Sequence, residues 1–160
     1  MKLRKANFNN KKAQLNIYLK KSIQELKLIE PKWAYGKHAH NLLDFSLHPR
    51  NQEYTIFLVE TSELIKNAEL NEVNTTIIFT GDTVNDIRIT SILHRWENHE
   101  FVDPPTVDLC TLNNNKLSLS DGRHRTKLSY LLGIKQIPIA VHNTLIKQVS
   151  EIIHLFSPPQ

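Results

Sequence analysis

The chain has 160 residues, 40% of them hydrophobic, with a formal net charge of +4 and a pI near 9.2. That size and apolar content suit one domain with its own core, the single cysteine excludes an internal disulfide framework, and no apolar run approaches the ~20 residues of a membrane-spanning helix. The opening MKLRKANFNNKK lacks the apolar stretch of a secretory signal, so a reducing, cytoplasmic location is expected unless a dedicated secretion system delivers the protein elsewhere.

The charge is uneven along the chain. Residues 1–37 hold ten Lys/Arg against two Glu, a balance of +8, while the remainder holds ten against fourteen acids, a balance of −4. Residues 1–14 read as a flexible basic segment, which either follows a nucleic-acid backbone or another anionic surface, or stays a solvated terminus. Residues 15–160 read as a single domain. Leu15, Tyr18, Leu19, Ile23, Leu26 and Ile29 recur at helical spacing and predict one amphipathic helix over 15–29, broken by the loop that Pro31 begins. His38 and His40 lack further local ligands, so no metal is assigned to them.

Tyr54–Glu60 is apolar almost throughout, as a central strand buried on both faces would be. A short helix capped by Thr61 or Ser62 is expected to run to Leu70, and residues 75–79 read as another strand. Gly81 and Asp82 form a turn, residues 83–86 resemble a capping box, and Val84, Ile87, Ile92, Leu93 and Trp96 give the following helix its core face. Asp82, Asp86 and Arg88 lie at its start, where the carboxylates complement the helix dipole without a catalytic role. After a loop carrying His99, Glu100 and Asp103, residues 106–112 and 116–120 predict a hairpin around Asn113, Asn114 and Asn115. The chain closes with an amphipathic helix over 145–156, ended by Ser157, Pro158 and Pro159.

The sequence is organised around residues 117–141, LSLSDGRHRTKLSYLLGIKQIPIAV: strand, turn, helix, a stop at Gly133, and a strand at 137–141. Ser120 and Asp121 are natural N-caps. Gly122, Arg123, His124 and Arg125 crowd the first helical turn, an end that disfavours cations, and a bound anion explains them. The first N–H groups are unpaired within a helix, Gly122 admits a ligand close to the backbone, and two guanidiniums grip phosphate oxygens well. The alternative is that Arg123 and Arg125 pair with carboxylates or face solvent while Asp121 caps the helix.

The motif resembles the core of the ParB/sulfiredoxin-like superfamily, in which DG-x-HR stands between a strand and a helix and an LG-x-x-x-IPV-type strand follows. Asp121, Gly122, His124, Arg125, Leu132, Gly133, Ile137 and Pro138 match it. The upstream WENHEFVDPPTVDLCTL, with Trp96, Pro104 and Pro105, resembles the branch that contains plasmid fertility-inhibition factors. The resemblance spans about residues 95–142 and implies an α/β (α+β) fold, a compact mixed sheet with flanking helices, without fixing one activity. Where sulfiredoxin has its cysteine nucleophile this chain has Arg123, so that reaction is not expected, and Cys110 reads as inert packing. Room for the helix-turn-helix region of partition proteins is not evident.

The resemblance implies a phosphate ester as ligand, either a nucleotide such as ATP or CTP with Mg²⁺ or a DNA backbone. Gly122, Arg123, Arg125 and Thr126 would hold the phosphate, His124 would be general acid or base, and Asp121 would orient His124 or help hold Mg²⁺ through water. One expectation is a nucleotide hydrolase, nuclease or phosphotransferase acting as an effector linked to mobile DNA. The other is a non-enzymatic module that binds nucleic acid or protein, including a component of secretion or conjugation machinery.

Overall fold

A computed structural model describes the backbone of residues 2–113 and 115–159 and, within them, the side chains from Asn9 onward. Among the described residues β1 (Tyr54–Glu60), β2 (Ala68–Glu69), β3 (Thr106–Leu109), β4 (Leu117–Asp121) and β5 (Gln136–His142) form one mixed sheet in the order β1-β5-β3-β4-β2. Flanking it are α1 (Lys2–Leu19), α2 (Ile23–Lys27), α3 (Thr61–Asn67), α4 (Thr83–Glu97), α5 (Arg123–Leu131) and α6 (Ile146–Ser150). The predicted class, a mixed sheet with flanking helices, is the observed one.

β3 pairs antiparallel with β4, giving the expected hairpin, and parallel with β5. β4 and β5 therefore run in opposite directions with β3 between them, although α5 alone connects them. Alternation in β4 turns Leu117 and Leu119 inward, while β5 is buried from Ile137 to Val141. Together with Val59, Val107, Leu64 of α3 and Val149 of α6 they make one apolar core. A second core joins Tyr18 and Leu26 to Ile89, Leu93 and Trp96 of α4 and Leu128 of α5, and Trp33 packs against both.

Several elements depart from the sequence reading. The helix expected over 15–29 is two helices, because Ser22 caps α2 in a full capping box with Glu25, and Leu19 and Ile23 are left exposed. The segment 1–14, read as a basic arm, is helical from Lys2 onward as part of α1. β1 is an edge strand rather than a central one, and its outer side is met at Leu58 by Phe156, whose N–H and C=O both bond Leu58. That bridge also explains why the last helix stops at Ser150 instead of reaching residue 156.

No strand forms over 75–79. The Asn74 side chain accepts from the N–H groups of Thr76 and Ile77 and from the Thr76 hydroxyl, a local turn that replaces ladder bonds, and Ile77 is 49% exposed. The second edge strand is the two-residue β2, parallel to β4, which follows α3 without a gap. In α4 the cap is Asp82, which accepts from Asn85 N, and Val84 points outward while Ile89 takes the core position.

The turn between β4 and α5 is fixed by Gly122. Its φ is +89°, and a Cβ there would lie 2.7 Å from both Cα and Cβ of Pro105. Pro105 is buried, and its carbonyl accepts from Ala140 N at 2.8 Å. Gly122→Ala should therefore destabilise by about 2–5 kcal/mol, the left-handed backbone and the overlap adding. Gly133 has φ +75°, and a methyl added there would meet nothing within 4 Å, so Gly133→Ala should lose only the backbone part, about 1–2 kcal/mol. Urea midpoints of the two variants compare these directly; equal losses would mean that the Pro105 contact carries no weight.

Candidate anion-binding site

Gly122, not Ser120 or Asp121, is the N-cap of α5, and no side chain caps the helix. Asp121 stays extended as the last residue of β4 and reaches forward to Arg125, Oδ2 to Nη2 at 2.7 Å. The first-turn N–H groups at Arg123, His124 and Arg125 precede the first intrahelical bond, Thr126 N to Gly122 O. An uncapped helix start thus opens beside cationic side chains.

These groups line a cleft of about 390 Å³ between α4 and α5, closed on one side by Lys11 of α1. Arg88 and Ser91 enter from α4, and Arg123, His124 and Arg125 from α5. The cations differ in their engagement. Arg125, whose side chain is 13% exposed, is held by Asp121 and donates to the Asp103 carbonyl, so it braces the cleft wall. Arg123 pairs at 3.2 Å with Glu72, but both are solvent-facing and the bond is weak. Arg88 is exposed and makes no ion pair among the described residues. It is the cation best placed to receive a ligand.

Thr126 does not face the cleft. It is buried, and its hydroxyl donates to the Gly122 carbonyl at 2.9 Å. Of the loop residues expected near the turn, Asp103 arrives: besides the carbonyl bonded to Arg125, its buried carboxylate accepts from Leu43 N and Asp44 N at 2.9 and 2.8 Å. Glu100 instead pairs with Arg95, and His99 lines a separate hollow with Glu97. Among the described residues no group of three or more His, Cys, Asp and Glu could hold a metal ion. Asp121 is the one carboxylate lining the cleft, so Mg²⁺ there would depend on oxygens of the ligand.

His124 makes no hydrogen bond among the described residues, and its imidazole pKa is lowered to about 4. Burial is the main cause, followed by the charges of Arg88, Lys127 and Arg123, with Asp82 opposing them weakly. The side chain is a neutral imidazole at pH 7.

Behind His124 lies a buried polar group that the sequence reading missed. Lys127 is 0% exposed and donates to Asn85 Oδ1 at 2.7 Å. Asn85 in turn donates to Asp86, whose carboxylate also accepts from Thr80 N and Gly81 N. Burial lowers the Lys127 pKa, and Asp86 works against that shift. Asp86 thus anchors the loop before α4 and serves Lys127, beyond its role at the helix start. Arg88 and Lys127 carried only a weak sequence signal: Arg88 sits in the second turn after the Asp82 cap, and Lys127 interrupts an otherwise apolar or small helix face.

A scan against protein-family models, a search of curated proteins and a search of solved structures each gave no match to this chain.

The lowered His124 pKa gives a pH dependence with a definite sign. Unfolded, the imidazole titrates near 6.5, so between pH 6.5 and about 4 the unfolded chain binds more protons than the folded one. Stability should fall on acidification through that window, and His124→Asn should remove this part of the fall. Urea midpoints of both proteins between pH 4 and 7 test it; parallel curves would show that His124 titrates normally.

Proposed function

We propose that the cleft between α4 and α5 binds a phosphate ester, supplied by a nucleotide or by a nucleic-acid backbone. The observation that carries this reading is the joint presence of an uncapped helix start and three cations converging from three helices, Lys11, Arg88 and Arg123, against a single lining carboxylate that Arg125 already engages. Such a concentration of positive charge is unfavourable at a helix N-terminus unless an anion joins it. The DG-x-HR resemblance to ParB/sulfiredoxin-like proteins points to the same turn.

In this reading the amides at 123–125 and the Arg88 and Arg123 guanidiniums hold phosphate oxygens, while Arg125, Asp121 and Gly122 set the shape of the turn. His124, neutral and without a hydrogen-bond partner among the described residues, is free to hydrogen-bond the bound phosphate, and the ligand's negative charge would raise its pKa toward the range in which it accepts a proton from an attacking water. A hydrolase or phosphotransferase would use it as general base. A pure binder would use it only to match the protonation of its ligand. The cation that Lys11 brings from α1 favours an extended polyanion as well as a mononucleotide.

Titration calorimetry with ATP, CTP, pyrophosphate and a short DNA, with and without Mg²⁺, tests the site. Arg88→Ala should weaken binding roughly 10- to 150-fold, as the loss of a charge-assisted hydrogen bond does. Because Arg88 is exposed and outside both cores, the variant should keep the wild-type melting temperature. Unchanged affinity in both Arg88→Ala and Arg123→Ala would sink the proposal. Nucleotide turnover lost in His124→Ala at retained affinity would assign the imidazole to catalysis; no turnover in wild type would leave a binding module.

A further inference from the structure

The anion cleft does not end at Arg125. A second cleft, of about 420 Å³, shares Ser91, Ile92, Asp121 and Arg125 with it and continues past Leu43 and Val102 to Arg95. Arg95 donates to the Phe101 carbonyl at 2.6 Å, and the Phe101 ring lines a third and larger hollow of about 600 Å³. Trp33, Tyr35 and His38 are the other aromatic rings of that hollow, and Lys32 and Lys37 outweigh the one acid, Glu30, among its described lining residues. All four rings are half-buried, each leaving part of its surface accessible. His38 lies against Phe101 with ring centroids 4.6 Å apart and planes 30° from parallel.

Cations stand at one end and aromatic rings at the other; between them Leu43, Val102 and two guanidiniums line the wall beside Asp44, Asp103 and Asp121, whose carboxylates are engaged by Ser46, by the amides of Leu43 and Asp44, and by Arg125. These are the components of a single-strand nucleic-acid track. The backbone of such a strand follows positive charge, and its unpaired bases stack on rings and guanidinium planes. A duplex offers only its phosphates to such a surface, because its bases are already stacked. A free phosphate or a nucleotide would fill the first cleft and leave the third without a role.

We infer that this protein binds single-stranded nucleic acid along the three adjoining clefts, phosphates at Arg88 and Arg123 and bases against Leu43, Tyr35 and the His38–Phe101 pair. The inference rests on the phosphate-ester reading of the first cleft and extends it to a class of ligand and a path. Asp103 is central to the path: its carboxylate holds the chain at Leu43 and Asp44 while its carbonyl fixes Arg125, which places Leu43 beside the braced guanidinium.

The test is fluorescence anisotropy at one fixed salt concentration with a twelve-nucleotide oligothymidylate, an abasic strand of the same length, a twelve-base-pair duplex and an oligouridylate. The thymidylate should bind roughly 5- to 100-fold more tightly than the abasic strand for each base that stacks. His38→Ala, at a side chain that packs on the Phe101 ring, should bring thymidylate affinity down toward the abasic value and leave abasic binding unchanged. Tyr35→Ala serves as the second variant, and thermal melting checks that both remain folded. Arg88→Ala should weaken both strands alike.

If the abasic strand binds in an Arg88-dependent way but the thymidylate gains nothing over it, the track is refuted and the phosphate site stands. Duplex binding as tight as single-strand binding refutes the track as well. Failure of every strand to bind overturns both readings. Binding of thymidylate or uridylate that falls to the abasic level in His38→Ala supports the track.

Discussion

The contact of Gly122 with Pro105 sets the geometry on which the site depends. Pro105 is pinned to β5 by its carbonyl, and Gly122 lies so close to it that no side chain fits between them. With glycine at the cap position the chain leaves β4 in a left-handed residue and enters α5 with no side chain over its first amides. Asp121, one residue too early to cap, is free to turn toward Arg125. A single steric constraint thus settles why the helix is uncapped, why the acid beside it pairs with the third residue of α5, and why Arg125 faces the loop carrying Asp103.

The charge of the cleft is sustained by polar groups beneath it. Lys127 is buried one turn below His124, and removing a lysine from water is expensive unless partners replace the lost solvent. Asn85 supplies the direct bond and Asp86 the countercharge, while the amides of Thr80 and Gly81 hold that carboxylate in turn. The network therefore fastens the start of α4 to α5 through polar contacts rather than apolar ones. It fixes the spacing of the two helices whose outer faces present Arg88 and His124. An apolar contact in its place would pack the helices equally well but would remove one of the charges that hold the imidazole neutral.

The sequence was most legible where periodicity and turn chemistry agree. α4, α5, the β3–β4 hairpin and β5 all carry a clear start and stop, and each forms within a few residues of the expected place. It was least legible where one side chain overrides the pattern. Asn74 converts an apolar run into a turn, Ser22 with Glu25 cuts a continuous amphipathic stripe into two helices, and Phe156 leaves the last helix to pair with an edge strand. β1 looked central and buried on both faces because its run is apolar, but it lies at the sheet edge and of its seven residues only Val59 is fully buried. Asp121 to Arg125, which the motif marked together, all line one cleft, whereas Thr126 fell on the buried side of α5. Arg88 was legible at the start of its own helix, but no local pattern could bring it to the turn at 121–125, some 35 residues further along the chain.

Arg123 and Arg125 show why residue type alone does not assign a role. Both stand in the first turn of α5, two positions apart, and both would serve phosphate equally on paper. The helix turns about 100° per residue, so the two guanidiniums leave the axis in widely different directions. Arg125 is directed toward the Asp103 loop and becomes part of the wall, while Arg123 projects to solvent beside Glu72 and can exchange that weak pair for a ligand. The same division separates Asp121, engaged by Arg125, from a metal-binding carboxylate. As the proposed phosphate site, the cleft would have an inner layer of Gly122, Asp121, Arg125 and Asp103 held by its own contacts, and an outer layer of Arg88, Arg123 and Lys11 able to rearrange around an anion. Specificity for phosphate geometry would come from the first, and affinity that falls with salt from the second.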